Sequence, residues 1–182
     1  MTEKEKMLSG LLYRANDEEL KKDFLKAKTL IKKYNQTLPN EDRFSILKDL
    51  LGSVGEGSSM TPPIYFDYGI NTYIGKNFYA NTNLVILDVC KIKIGNNVML
   101  GPNVAIYAAT HPLDKDLREQ GLEFGKEIII GDDVWIGGNS VINPGVVIGD
   151  NVVIGAGSVV TKDIPSNVVA YGNPCKIQKK II

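Results

Sequence analysis

The chain has 182 residues, 43% of them apolar and 23% charged, which excludes an intrinsically disordered protein and leaves room for one domain with a small appendage. Lysine plus arginine number 21, as do aspartate plus glutamate, so no net field favours nucleic acid or an anionic membrane, and a neutral partner or local charge pairing is expected. The longest apolar runs are strand-sized, and Met1-Thr-Glu-Lys-Glu-Lys6 lacks the apolar core of a signal peptide. The reading is therefore a cytoplasmic protein. Cys90 and Cys175 form no motif spacing and read as reduced thiols.

Asn16-Asp-Glu-Glu19 has the form of a capping box, with Asn16 as N-cap and a helix starting near Asp17. Leu20, Phe24, Ala27, Ile31 and Tyr34 recur at helical spacing as a buried face, with six lysines between 21 and 33 on the solvated sides. Asn40 is placed to cap a second helix carrying Phe44, Leu47, Leu50 and Leu51, stopped by Gly52. Gly55-Glu-Gly-Ser-Ser59 reads as a flexible link and Thr61-Pro-Pro63 ends helical propensity, which puts the boundary at residue 58, between a helical part (1–58) and a repeat part (59–182).

The repeat is six residues long. It is clearest where Ile130, Ile136, Ile142, Ile148, Ile154 and Val160 open successive hexads, most followed by glycine, with Asp-Asp and Asp-Asn pairs supplying turn chemistry. Neither a helical period nor plain alternation keeps this spacing, so each hexad is one short strand and a turn of a solenoid. Three hexads make a triangular coil in which Ile148, Ile154 and Val160 stack above Ile130, Ile136 and Ile142. Earlier hexads at Ile74, Ala80, Ile94, Leu100 and Ile106 are looser, and the spacing slips between Ile86 and Ile94. From Ile106 to Ile130 no aliphatic falls in phase, so residues 108–127 form a loop that leaves the solenoid. That loop carries the only histidine, His111, which is either a functional group or a packing residue beside Pro112.

Taken with the hexads, the two-helix leader containing Tyr13-Arg-Ala-Asn-Asp-Glu-Glu-Leu20, Asn77-Phe-Tyr-Ala-Asn81, Thr110-His-Pro112, Val134-Trp-Ile-Gly137 and Gly155-Ala-Gly-Ser-Val-Val-Thr-Lys-Asp-Ile-Pro165 resemble the maltose and galactoside O-acetyltransferases. The resemblance implies a left-handed parallel β-helix, a homotrimer with sites between subunits, and acetyl-CoA as co-substrate. It implies His111 as general base, taking the proton of a sugar hydroxyl that attacks the thioester, a task an imidazole suits near neutral pH. A main-chain N–H at Gly138 is the candidate oxyanion donor, where galactoside-type members often have serine. Tyr79, Asn81, Asp88 and Glu123 are implied as sugar contacts. Ala156, Thr161 and Lys162 are implied beside the pantetheine arm, with Lys176 and Lys179 near the phosphates in place of the family's arginines.

Read alone, Gly138 is a corner residue, Lys176 to Lys180 a solvated basic tail, and Trp135 a packing anchor. Galactoside-type members carry carboxylates where Ala15 and Val89 stand, so the resemblance points to glucose or maltose as acceptor. A zinc enzyme on this type of solenoid needs three histidines, which this chain lacks, and no metal is expected. A serine, amine or glycan acetyltransferase and a silent trimeric scaffold are the competing readings.

Overall fold

The computed structural model describes residues 1–182. Helix α1 (Glu3–Leu8), which the sequence reading did not anticipate, is started by a full capping box between Thr2 and Glu5. Helix α2 (Glu18–Asn35) is capped by Asp17, one residue later than expected, because its carboxylate accepts from the Glu19 and Leu20 N–H groups. Helix α3 (Arg43–Leu50) is likewise capped by Asp42 rather than Asn40, with the Ser45 N–H as donor.

Leu20, Ala27, Ile31 and Tyr34 of α2 are buried, whereas Phe24 is 40% exposed. The end of α2 is tied to the solenoid by the Tyr34 hydroxyl, which donates to the Met60 carbonyl at 2.7 Å. Asn35 adds a pair of bonds to the Ile64 backbone at 2.8 and 2.9 Å. Ala27, Ile31, Tyr34, Ile46, Leu47 and Leu50 join the same apolar cluster as the stacked isoleucines, so the leader shares the solenoid's core rather than closing one of its own.

From Ser53 the chain winds through three faces of parallel strands. The first face stacks Ser53–Val54, Thr72–Ile74, Ile92–Ile94, Ile128–Ile130 and Val147–Ile148. The second begins with Ser59–Met60, Tyr79–Ala80, Met99–Leu100, Trp135–Ile136 and Val152–Ile154. The third stacks Ile64–Phe66, Leu84–Leu87, Ala105–Tyr107, Val141–Ile142 and Val159–Val160. Register is as the repeat requires, with Ile130 against Ile148, Ile136 against Ile154 and Ile142 against Val160. All six are buried.

Two expectations change. Gly55–Ser59 is not a flexible link, because Ser53–Val54 already pairs with Tyr73 and Ile74, and the run is the first corner of the first coil. The slip between Ile86 and Ile94 is a longer coil: Ile86 pairs with Ile106 and Ile74 with Ile94, twenty residues apart, the two extra residues falling between the third face and the first.

The glycines that follow inward residues do not take left-handed backbone; that falls to the residues after them, such as Asn97 at φ 55° and Asp133 at φ 57°, whose side chains hydrogen-bond to each other at 2.9 Å along the corner. Glycine serves close stacking instead. A Cβ on Gly137 would lie 2.4 Å from the Ala156 nitrogen of the next coil. The last rung, Val168–Tyr171, is covered by an antiparallel strand, Lys176–Lys180. No helix is long and apolar enough to cross a membrane.

Candidate active site

The main departures from the six-residue rule gather at the corner between the third and first faces. There the bend 67–71, the bend 88–91 and the loop 108–127 follow one another up the stack. The first two are locked by Asp88. Its carboxylate accepts from the Tyr68 N–H at 2.9 Å, the Asn71 N–H at 3.3 Å and the Thr72 hydroxyl at 3.1 Å. Asp88 is fully buried and its bonds run to its own corner, so it does not reach the surface as the sugar contact it was expected to be.

The loop expected to be structureless is a small sheet with one helical turn. Ala109–Thr110 pairs antiparallel with Leu122–Gly125, which pairs in turn with Tyr13–Arg14 of the leader. Helix α4 (Lys115–Glu119), capped by Asp114, closes the tip, and Arg118 donates to the Pro112 and Leu113 carbonyls at 2.8 and 3.1 Å. His111 stands exposed just past Thr110, with Pro112 buried behind it.

Beneath this sheet lies a cavity of about 400 Å³, bounded by Tyr13, Phe24, Asp67, Tyr68, Val89 and Glu123, with Ala15 in the same wall. Both positions where galactoside-type members carry carboxylates therefore face it. The Tyr13 hydroxyl donates to Glu123 Oε2 at 3.0 Å. Burial, and after it the Glu123 charge, push the Tyr13 phenol far up, so it stays a donor. Burial also raises the Asp67 carboxyl, opposed by Lys28 at 3.8 Å and assisted by the Glu123 charge. Phe24 meets Tyr68 edge to face with centroids 6.2 Å apart, and the Lys28 ammonium lies 4.3 Å from the Phe24 ring centre. Two carboxylates between aromatic walls can bind the hydroxyls and the C–H face of a ring.

Asp67, Tyr13, Phe24 and Tyr68 were not singled out as site residues. The available signal was that Asp67, like Asp88, follows a strand of the third face, but one place after the inward Phe66 rather than two places after the inward Ile86, which turns it out towards the cavity.

The remaining expected residues lie elsewhere. Tyr79, Met99 and Trp135 occupy successive rungs on the outside of the second face, 40%, 51% and 51% exposed. Trp135 is thus no buried anchor. Asn81, Gly138 and Ala156 follow at the corner between the second and third faces. The Gly138 carbonyl accepts from the Gly157 N–H at 2.9 Å, while its own N–H has no acceptor in the chain. A Cβ on Gly138 would come 2.9 Å from the Pro102 carbonyl oxygen. Thr161 and Lys162 are exposed after the last strand of the third face, and Lys176 and Lys179 on the final strand. One chain therefore brings His111 and Glu123 together at one corner, and Tyr79, Asn81, Gly138 and Ala156 together along another edge, with the third face between them.

Residues 6–55 match the family model described as the maltose acetyltransferase hexapeptide capping motif, and residues 127–162 the bacterial transferase hexapeptide of six repeats. The crystal structure of a maltose O-acetyltransferase from Clostridium difficile 630 superposes with a TM-score of 0.99 at 58% identity, over 100% of this chain and 98% of that one. A hexapeptide-repeat acetyltransferase from Vibrio cholerae O1 biovar eltor, complexed with acetyl coenzyme A, gives a TM-score of 0.93 at 37% identity, over 100% of both chains. The galactoside O-acetyltransferase of Escherichia coli K12 is 47% identical over 179 residues, 97% of this chain and 88% of that protein. With matched hexads, a matched capping leader and full-length likeness, the chain belongs to the hexapeptide-repeat acetyltransferases, in the branch that carries the maltose acetyltransferase capping motif.

Proposed function

We infer that the protein transfers an acetyl group from acetyl-CoA to a hydroxyl of a sugar, glucose or maltose in preference to a galactoside. The observation that carries this reading is the position of the single histidine. It stands exposed, one place beyond a strand paired with Leu122–Gly125, whose Glu123 lines a cavity with a second carboxylate and aromatic faces that suit a polyhydroxylated ring. Ala15 and Val89 on that wall support a glucosyl rather than a galactosyl acceptor.

His111 takes the proton as the sugar oxygen attacks the thioester carbonyl carbon, forming the C–O bond. The Gly138 N–H, free of any partner in the chain, donates to the resulting oxyanion. Collapse breaks the C–S bond, and the proton on the imidazolium passes to the departing thiolate. Tyr79 and Asn81 contact the acceptor, and Ala156, Thr161, Lys162, Lys176 and Lys179 hold coenzyme A.

Because the His111 corner and the Tyr79 edge are held apart within one chain, the working site requires two copies, in keeping with a homotrimer. The free thiols Cys90 and Cys175 accord with a reducing cytoplasm. The test is release of coenzyme A thiol from acetyl-CoA with glucose, maltose and a galactoside. Sugar-dependent release should fall about 10²–10⁴-fold in His111→Ala with unchanged thermal unfolding; undiminished release in that variant would remove the base assignment.

A further inference from the structure

We propose that Glu123 is a positioning residue for His111: its carboxylate, itself fixed by Tyr13, selects one tautomer and one orientation of the imidazole. The proposal rests on the reading of His111 as the base. Ala109 lies opposite Gly125 and Thr110 opposite Phe124, so the next place in the antiparallel register sets His111 against Glu123. On the other side of the same strand Glu123 lies opposite Tyr13. The three residues thus form one row across the small sheet, and side chains in such a row leave on the same face with Cβ atoms roughly 4.5–5.5 Å apart between neighbours.

The centre of the row is a half-buried carboxylate. One oxygen, Oε2, is taken by the Tyr13 hydroxyl at 3.0 Å, while Oε1 accepts no hydrogen bond within the chain. Tyr13 is buried and its phenol keeps its proton, so the bond runs only from Tyr13 to Glu123 and leaves Oε1 without a donor in the chain, open to an imidazole turned towards it. A neutral imidazole has one N–H and one lone pair. If its N–H is spent on Oε1, the other nitrogen carries the lone pair that a base needs, with its direction set by the row.

The chain's single histidine makes the test unambiguous. In protein labelled with ¹⁵N-histidine, the two ring-nitrogen shifts of the neutral side chain should show one dominant tautomer. Glu123→Met, which keeps the length and removes both acceptors, should give a mixture. It should also lower kcat by about 10- to 100-fold. Tyr13→Phe should shift the tautomer ratio in the same direction by less. An unchanged ratio in Glu123→Met would overturn the proposal, as would a raised acceptor KM with unchanged kcat, which marks Glu123 as a sugar contact. These failures differ from failure of the base reading, whose mark is turnover surviving in His111→Ala.

Discussion

Asp88 has its carboxylate sealed among backbone donors. Burial lifts it to about 6, against the lowering effect of the Tyr68 and Gly69 N–H groups and the Thr72 hydroxyl. In an unfolded chain such a group titrates near 3.9, so the folded protein holds the proton more tightly. The stability this contributes is fully present below about pH 4 and is lost as pH rises through about 6. Urea unfolding of wild type and Asp88→Asn across that window should show wild type losing its advantage over the variant as pH rises. A gap that widens with pH would contradict the assignment. Asp67 also follows a strand of the third face but has the opposite fate: it comes one place after the inward Phe66, whereas Asp88 comes two places after the inward Ile86, so strand alternation turns the first out and the second in. The caps were harder to read. Asn16 and Asp17 are both competent, and the choice depends on which one holds extended backbone where the helix begins, as Asp17 does at ψ 144°.

Among the elements, the solenoid was legible and the loop sheet was not. A hexad repeats its own signal, so six in phase outweigh any local ambiguity. Tyr13–Arg14 and Ala109–Thr110 are strands of two residues each, both paired with Leu122–Gly125, the first across about a hundred residues of chain, and they leave no periodicity to read. The role of the hexad glycines is likewise set by the neighbouring coil rather than by their own turn. Gly137→Ala should therefore be severe, since the new Cβ meets Ala156 backbone at 2.4 and 2.8 Å, and a loss of more than about 2 kcal/mol is expected. Gly157 is a useful contrast. It has φ 72° with nothing within 4 Å, so Gly157→Ala should cost only the left-handed strain of about 1–2 kcal/mol. Thermal unfolding that ranks the two in the opposite order would refute close stacking as the reason for the first glycine.

Across the whole molecule, the solenoid acts as a spacer. Its third face separates the corner that carries His111 and the cavity from the edge that carries Tyr79, Asn81 and Gly138. The resemblance named His111, Tyr79, Asn81 and Gly138 together, whereas the periodicity of the sequence did not show that one chain holds them apart. The leader closes the cavity from the other side through Tyr13 and Phe24, so helix, loop and coil each supply one wall.

The central claim is sugar acetylation at a site made by two such halves from different copies. It is tested most directly by refolding an equal mixture of His111→Ala and Asn81→Ala chains and measuring acetylated glucose formed from acetyl-CoA. The account predicts that each variant alone is nearly inactive and that the mixture recovers up to about a quarter of wild-type activity, the share of interfaces pairing two intact halves in a closed ring. A mixture no more active than its components would contradict it.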